Sequence, residues 1–290
     1  MFLLVGGDSE IGKATVHALQ AAGENVVATT RRADQASSER PYLDFTGDLS
    51  GWTPPDGVTS ACIFVALARL AACAADPAGS AHINVTQTLA LVDRLLVRDI
   101  HVLFLSTNQV FDGKTAQMPV DALTAPVSEY GKQKARTEAA LVAHMARGAP
   151  VAILRLAKVV SPEMALVHGW IDALAAGQPI RAFDDMMMAP TPTALVAEAI
   201  AALMRDRARG VSHLTGPRDV SYLEVGRYLA GRLGAAPKLV QASSAAASGQ
   251  PPGATPRHTT LDSSLMRERY GFAVPDAWAV VDAVMAAKRG

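Results

Sequence analysis

MFLLVGGDSEIGKATVHALQAAG, residues 1–23, opens the chain with an apolar run, then glycines, then a stretch with helical spacing. This order is typical of a dinucleotide-binding βα unit, in which loop glycines allow a tight turn and the helix N-terminus faces phosphate. Gly6 and Gly12 stand at the outer positions of a glycine pattern spaced in threes, and Ser9 occupies the middle one. The stretch predicts a phosphate-binding loop, but Ser9 raises the question of whether the loop still binds a cofactor.

Apolar runs alternate with helical patterns through the first half of the chain. The runs FLLVG, NVVATT, RPYLDF, ACIFVAL, HVLFLST and VAILRL are typical of strands buried on both faces. Their alternation with helical stretches predicts an α/β fold with a Rossmann-type, doubly wound parallel sheet over residues 1–160. We expect residues 161–290 to form a smaller, mixed C-terminal lobe, with some segments returning to the first domain. Within it, the low-complexity stretch QASSAAASGQPPGATPRH predicts a mobile loop.

The composition of the 290-residue chain argues against several kinds of partner. Lys and Arg together number 27, as do Asp and Glu, so overall charge favours neither nucleic acid nor an anionic membrane surface. The longest apolar stretch, ACIFVALARLAACAA, is broken by Arg69 and is too short to span a bilayer. The first predicted strand begins at Phe2, so we expect no signal peptide. These features predict a cytoplasmic protein, a monomer or homodimer, that acts on a small molecule.

Two arginines follow the second predicted strand, which ends in Thr-Thr-Arg-Arg. An enzyme that selects NAD usually places an acidic residue here for the ribose hydroxyls, whereas Arg31 and Arg32 offer guanidinium groups suited to a 2′-phosphate. The alternative is a solvated basic turn that binds nothing. The position favours NADP as the cofactor, with NAD as the second candidate.

A tyrosine and a lysine four residues apart follow a strand that ends in hydroxyl groups. The run HVLFLSTNQVFDG ends its strand at Ser106 and Thr107, and SEYGKQKARTEAAL then places Tyr130 and Lys134 on one helix face. The lysine charge can lower the pKa of the phenol and prepare it for proton transfer, while the Thr107 hydroxyl can hold a substrate carbonyl. The pattern predicts a proton-transfer site at the end of this strand.

At these residues the sequence resembles the extended short-chain dehydrogenase/reductases, most of all the dTDP-4-dehydrorhamnose reductase branch and its sugar-nucleotide-binding relatives. STNQVFDG is similar to that branch's STDYVFDG, and YGKQKARTE to its YG-x-x-K helix. The resemblance covers nearly the whole chain in order, through INVTQT, LRLAKVV, MMMAPTPTALVAEAI, GVSHLTGPRDVSYLEV and TTLDSSLMRERYGF.

The resemblance implies roles for particular residues. Thr107, Tyr130 and Lys134 match the family's catalytic trio, in which the nicotinamide delivers hydride to a ketone carbon and the tyrosine protonates its oxygen. Asn108, Gln109 and Lys158 match substrate positions, although the branch has Asp, Tyr and often Trp there. The residues implied or predicted to bind the cofactor are Gly6, Ser9, Glu10, Ile11, Gly12, Arg31, Arg32, Asp44, Phe45, Ala66, Leu67, Ala68, Tyr130 and Lys134.

Three functions agree with these residues. The first is an NADP-preferring oxidoreductase that reduces a keto group of a nucleotide sugar or similar polar substrate, with Tyr130 as proton donor. The second is a nucleotide-sugar 4-epimerase of the same superfamily. The third is a non-catalytic NADP-binding sensor or regulatory subunit, which Ser9, Asn108 and Gln109 favour because they depart from the family pattern. The intact catalytic trio favours an enzyme.

Other clusters have a simpler, structural interpretation. Met186, Met187 and Met188 are expected to pack in a core or loop rather than line a substrate pocket. Asp184 and Asp185 could bind a cation, but a place in an exposed loop is the simpler interpretation. No pair of histidines or cysteines has the spacing of metal ligands, so we expect no metal site.

Overall fold

Strands and helices alternate through the first half of the chain, as the apolar runs predict. The computed structural model describes residues 1–289. In chain order the first elements are β1 (Phe2–Val5), α1 (Glu10–Ala21), β2 (Val26–Ala28), β3 (Ser60–Ile63), α2 (Leu70–Ala75), α3 (Pro77–Ala81), α4 (Thr88–Val97), β4 (His101–Thr107), α5 (Glu129–Ala146) and β5 (Val151–Leu156). A π-helical turn, His82–Gln87, joins α3 to α4.

The second half contains shorter strands between its helices. These elements are β6 (Val159–Val160), α6 (Ala165–Ala175), β7 (Ile180–Phe183), β8 (Met187–Met188), β9 (Thr191–Pro192), α7 (Thr193–Arg205), β10 (Gly210–Leu214), β11 (Val220–Ser221), α8 (Tyr222–Leu233), β12 (Val240–Ser243), α9 (Ser264–Tyr270) and α10 (Ala277–Arg289). Within residues 1–289 no helix is both long enough and apolar enough to cross a membrane.

A six-stranded parallel sheet with the strand order β10-β5-β4-β3-β1-β2 lies at the centre of the molecule. Every residue of β1, β3, β4 and β5 is buried, which explains why these strands are apolar along their whole length. The doubly wound parallel sheet predicted from the sequence is confirmed. RPYLDF differs from the prediction, because only Tyr42 pairs, through a single bridge to Thr30 at the sheet edge.

The strand order creates a crevice at one edge of the sheet. The chain passes from β1 to β2 on one side and then crosses to β3 on the other side of β1. The loops that follow β1 and β3 therefore separate at the carboxyl ends of these strands. In doubly wound sheets this switch point is where dinucleotides bind.

Apolar layers cover both faces of the central sheet. Leu19 of α1 and Ile200 of α7 pack on one face, and Leu91 of α4 and Leu141 of α5 pack on the other. A separate cluster, which includes Trp170, joins α6, α8 and α10 to β7 and β12. The later half thus supplies α7 and β10 to the central layers and builds a core of its own. A domain boundary at residue 160 stays a prediction.

Candidate active site and cofactor crevice

A cavity of about 810 Å³ opens at the carboxyl edge of the sheet. Ser9 follows β1, Ala66 follows β3, Asn108 follows β4 and Lys158 follows β5, so parallel strands bring these distant residues to one edge. The predicted site residues that line the cavity are Ser9, Ile11, Ala66, Ala68, Thr107, Asn108, Gln109, Tyr130, Lys134 and Lys158.

Ser9 has a local structural role in the phosphate-type loop. It is the N-cap of α1, where its Oγ accepts a hydrogen bond from the Gly12 N–H at 3.1 Å. The hydroxyl proton of Ser9 stays available to donate into the cavity. Gly6 has a φ of +89°, and a Cβ at Gly12 would lie 2.9 Å from the Gly6 carbonyl oxygen, so both glycines are required by the turn. Glu10 is exposed in the first turn of α1.

A charged cluster lies beside the loop where the ribose end of a dinucleotide is expected. Arg31 and Arg32 are exposed after β2, and the Arg32 backbone N–H donates to the Thr30 hydroxyl at 3.0 Å. Thr30 donates to Asp8 at 2.6 Å, and Arg40 forms an ion pair with the same carboxylate. Burial raises the pKa of Asp8, but the hydrogen bonds from Thr30 and Arg40 outweigh it and hold the pKa below its usual value.

Sequence reasoning missed the pairing of Asp8 with Arg40. Asp8 follows the Gly6-Gly7 pair directly, so its place in the loop was a usable signal. Arg40 had none, because only the return of the chain alongside β2 brings it to the loop.

Eight of the residues implied or predicted to contact the cofactor lie outside the lining of the cavity: Gly6, Glu10, Gly12, Arg31, Arg32, Asp44, Phe45 and Leu67. Phe45 is only 3% exposed and packs in the core beneath α4, while Asp44 accepts a hydrogen bond from the Thr46 N–H at 2.9 Å. The backbone of Leu67 is bound in both directions by the buried Asn84 side chain, at 2.8 and 3.0 Å. Asn84 thereby fixes the loop that follows β3, a positioning role that the sequence did not reveal.

Tyr130 and Lys134 lie one turn apart on α5, on the side that faces the cavity. Ser128 caps this helix by accepting from the Gly131 N–H at 3.0 Å. Lys134 is 3% exposed, and its Nζ donates to the Leu105 carbonyl oxygen at 2.8 Å. The same Nζ is 5.9 Å from the centroid of the Tyr130 ring. The helix thus directs a phenol and an ammonium group to the end of β4.

Thr107 and Ser106 supply hydroxyl groups at the end of β4. The Thr107 Oγ1 accepts from the Gln109 N–H at 3.2 Å and lies 3.3 Å from the Asn108 side-chain oxygen. Ser106 is 6% exposed and lines the cavity, and its buried Oγ has no hydrogen-bond partner within residues 1–289. A buried hydroxyl without a partner is costly, so a ligand in the cavity is the expected partner.

Burial controls the ionisation of both α5 groups. It raises the pKa of the Tyr130 phenol above its ordinary value, so the phenol keeps its proton at neutral pH. It also lowers the pKa of Lys134 to about 8, against the opposing charge of Glu138. The sequence predicts that Lys134 lowers the phenol pKa, whereas in this structure burial dominates and the pKa lies above its ordinary value.

The methionine cluster does not have the role predicted from sequence. Met186, Met187 and Met188 all line the cavity, where β8 pairs with β11. The expectation that they only pack in a core or loop was wrong, although Met188 is also buried at 3% exposure. Tyr222, which begins α8, lines the same wall, and burial raises the pKa of its phenol.

The low-complexity segment forms the remaining wall of the cavity. Its residues in the lining are Gln250, Ala254 and Pro256, followed by Thr259. A Cβ at Gly253 would lie 2.9 Å from the Ser128 N–H, so the segment packs tightly on the start of α5. Such contacts have no local sequence signal. Arg69 also lines the cavity, and its signal was a charge in the middle of an apolar run.

The sheet order and the cavity together define a Rossmann-type protein with a ligand cavity at its switch point. Residues 1–289 match the model of the RmlD substrate binding domain family, and the chain belongs to that family. A relative from Streptomyces niveus, named dTDP-4-keto-6-deoxy-D-glucose reductase, is 28% identical over 92% of this chain and 90% of its own length.

Two solved structures share the fold over nearly the whole chain. The dTDP-4-dehydrorhamnose reductase of Bacillus anthracis, in complex with NADP, has a TM-score of 0.77 at 16% identity and covers 98% of this chain and 97% of that one. The UDP-glucose 4-epimerase of Thermus thermophilus, in complex with NAD, has a TM-score of 0.79 at 19% identity and covers 100% and 99%. At these identities the likeness concerns the fold.

Proposed function

We propose that the protein is an NADP-dependent reductase that acts on a keto group of a nucleotide sugar, with Tyr130 as the proton donor. The observation that carries the proposal is the meeting of Thr107, Tyr130 and Lys134 at one cavity on the switch point of the sheet. The relative from Streptomyces niveus, whose name describes reduction of a nucleotide-linked keto sugar, supports the same reaction class.

The residues at the sheet edge fit a dinucleotide. The glycine turn at Gly6, the N-terminus of α1 and the exposed pair Arg31 and Arg32 offer sites for phosphate groups. Arg40 and Thr30 engage the Asp8 carboxylate beside the expected ribose, so its negative charge is compensated there. A bound nicotinamide dinucleotide would supply the hydride, and the NADP complex of the Bacillus anthracis structure supports that choice.

The chain's own residues would position and protonate the substrate. The partly buried phenol of Tyr130 keeps its proton and can donate it to a carbonyl oxygen in the cavity. The Ser106 hydroxyl, which lacks a protein partner within the described chain, can donate to the same oxygen or to a neighbouring sugar hydroxyl. Lys134 places a positive charge near the phenol, which would stabilise the phenolate left after proton transfer.

The test is NADPH oxidation with a panel of nucleotide-linked 4-keto sugars, using wild-type protein and Tyr130→Phe. We expect the variant to lose about 10²- to 10⁴-fold in turnover, the usual range for a positioned acid, while its affinity for NADPH stays unchanged. Tyr228→Phe is the matched control, because Tyr228 donates to Asp282 away from the cavity and should not affect turnover.

Three results would contradict the proposal. Equal turnover in the wild type and Tyr130→Phe would exclude the phenol as the donor. Inversion of a sugar hydroxyl without net NADPH consumption would indicate an epimerase. Tight NADPH binding with no turnover on any sugar would favour the sensor or regulatory interpretation.

A further inference from the structure

The cavity lining carries positively charged side chains and no negatively charged ones. Its charged residues are Arg69, Lys134 and Lys158, and among the described residues that line it none is Asp or Glu. Lys134 is engaged with the Leu105 carbonyl oxygen and lies near Tyr130. Arg69 and Lys158 form no ion pair or side-chain hydrogen bond with residues 1–289. Two unpaired cations therefore face the space that a ligand would fill.

Lys158 stands at the reactive end of the cavity. In the sheet register Leu156 pairs with Thr107, so Lys158 lies just beyond the strand position opposite the catalytic hydroxyl. Its carbonyl oxygen accepts from the Thr191 N–H at 2.9 Å, which ties its backbone to the neighbouring chain. The side chain is half-buried. Because no ion pair engages this ammonium group within residues 1–289, it is available to an anionic group of a ligand in the cavity.

The acidic residues just before the methionine cluster in sequence do not neutralise Lys158. Asp185 is bound by the Ser244 hydroxyl at 2.6 Å and by the Ala245 and Ala246 N–H groups at 2.7 and 3.0 Å. Asp184 is exposed, and neither carboxylate lines the cavity. Arg69, in contrast, follows β3, on the far side of β4 from β5. The two free cations are thus placed to meet different parts of one extended ligand.

We infer that Lys158 binds a carboxylate on the sugar ring, so that the substrate class is a nucleotide-linked keto sugar acid rather than a neutral sugar. This inference rests on the proposed function, because it assumes that the sugar occupies the end of the cavity beside Thr107 and Tyr130. A sugar diphosphate alone does not account for Lys158, because the diphosphate is separated from the reacting carbonyl by the ring. Arg69 is the cation available for that diphosphate.

The experiment compares two ligands that differ only in the group at C5, dTDP-glucuronate and dTDP-glucose. Their dissociation constants are measured by calorimetry on the protein saturated with NADP⁺, for the wild type, Lys158→Met and Arg69→Met. We expect the wild type to bind the glucuronate roughly 10- to 100-fold more tightly, the range for one charge-assisted contact. Lys158→Met should abolish this preference by weakening glucuronate binding alone, and Arg69→Met should leave the ratio unchanged.

Each other outcome is decisive. Equal affinities in the wild type would overturn the inference and leave the proposed function standing. Equal weakening of both ligands by Lys158→Met would show that Lys158 binds the shared diphosphate, which also overturns the inference. If neither ligand binds to the NADP⁺-loaded protein, the nucleotide-sugar function fails together with the inference. Unchanged thermal unfolding and NADP⁺ affinity in each variant would exclude a folding defect as the cause.

Discussion

At position 9 a side chain stands where a phosphate loop usually exposes bare backbone. The Ser9 hydroxyl accepts from the Gly12 N–H, so it occupies a donor that would otherwise be free for phosphate. In return its own proton can donate toward the cavity, which Ser9 lines. Because one hydrogen-bond donor replaces another, we expect a serine at this position to be compatible with a bound cofactor.

Ser9→Gly is therefore expected to change the affinity for NADPH by less than about tenfold, or roughly 1.4 kcal/mol. The cost to stability should be a few tenths of a kcal/mol, since glycine is tolerated at an N-cap, whereas Ser9→Ala should cost about 1 kcal/mol. Fluorescence titration and urea unfolding measure the two effects. A gain in affinity of several orders of magnitude in Ser9→Gly would mean that the native loop is degenerate.

Lys134 makes the stability of the cofactor-free protein depend on pH in the alkaline range. Its pKa is about 8 in the folded protein, below the ordinary value of 10.5, because burial disfavours the charged form. Between these two pKa values the unfolded chain binds more protons at Lys134 than the folded protein does. The contribution of Lys134 to the free energy of unfolding therefore increases with pH in this range. Below pH 8 the cost of burying the charge is present in full.

We expect Lys134→Met to be more stable relative to the wild type at pH 7 than at pH 10.5. The difference in unfolding free energy should change by about 3 kcal/mol across this window, whatever constant offset the lost hydrogen bond to Leu105 adds. Urea denaturation at several pH values measures it. A pH-independent difference would show that the Lys134 charge is not destabilised in the fold.

At the scale of elements, the start of α5 is positioned by direct contact with the turn after β4. A Cβ at Gly131 would lie 2.1 Å from the Gln109 carbonyl oxygen, a backbone atom that cannot move alone. Gln109 in turn donates to Thr107 through its N–H. The glycine therefore sets the spacing between the helix that carries Tyr130 and the strand that carries Thr107.

Gly131→Ala should separate the two elements and lower both stability and turnover. We expect a loss of about 1–3 kcal/mol in unfolding free energy, as for an overpacked contact, and a fall in turnover on the order of 10²-fold. Gly169→Ala is the matched control, since Gly169 is exposed within α6 and a Cβ there meets nothing within 4 Å. The control should gain about 0.5–1 kcal/mol from helix propensity and keep full turnover. Similar effects of both substitutions would refute the positioning role.

At the scale of the whole molecule, the crevice joins loops from several strands of one sheet. A dinucleotide bound there would contact the folded arrangement and not the unfolded chain, so it should stabilise the protein by mass action. We expect about 2.7 kcal/mol of added stability when NADPH is present at about 100 times its dissociation constant. At equal concentrations NADH should raise the melting temperature less, because Arg31 and Arg32 would lack the 2′-phosphate.

Thermal unfolding with each cofactor, repeated on an Arg31→Ala, Arg32→Ala double variant, checks this prediction. The difference between NADPH and NADH should disappear in the double variant. A wild-type protein stabilised equally by both cofactors would exclude the arginines as the source of cofactor choice.

Sequence alone determined the parallel sheet, the glycine turn and the placement of Tyr130 and Lys134 on one helix face. These features depend on local periodicity and on short motifs, which a few neighbouring residues carry completely. The prediction of a strand at RPYLDF was wrong. Its composition is typical of a strand, but in the structure it forms only the single bridge between Tyr42 and Thr30 at the sheet edge. Strand pairing along the whole of RPYLDF would need a longer partner strand, but the neighbouring β2 has only 3 residues.

Only the tertiary structure decided what surrounds the reactive groups. Met187, Tyr222 and Thr259 reach the cavity through chain segments far from Tyr130, and no local pattern could reveal which of them would face it. The pKa of Tyr130 also depended on tertiary structure, because burial raises it, whereas the motif predicted that the nearby lysine would lower it. The side chains that close a site and its dielectric environment are set by long-range packing, whereas a motif specifies only the residues within a few turns of itself.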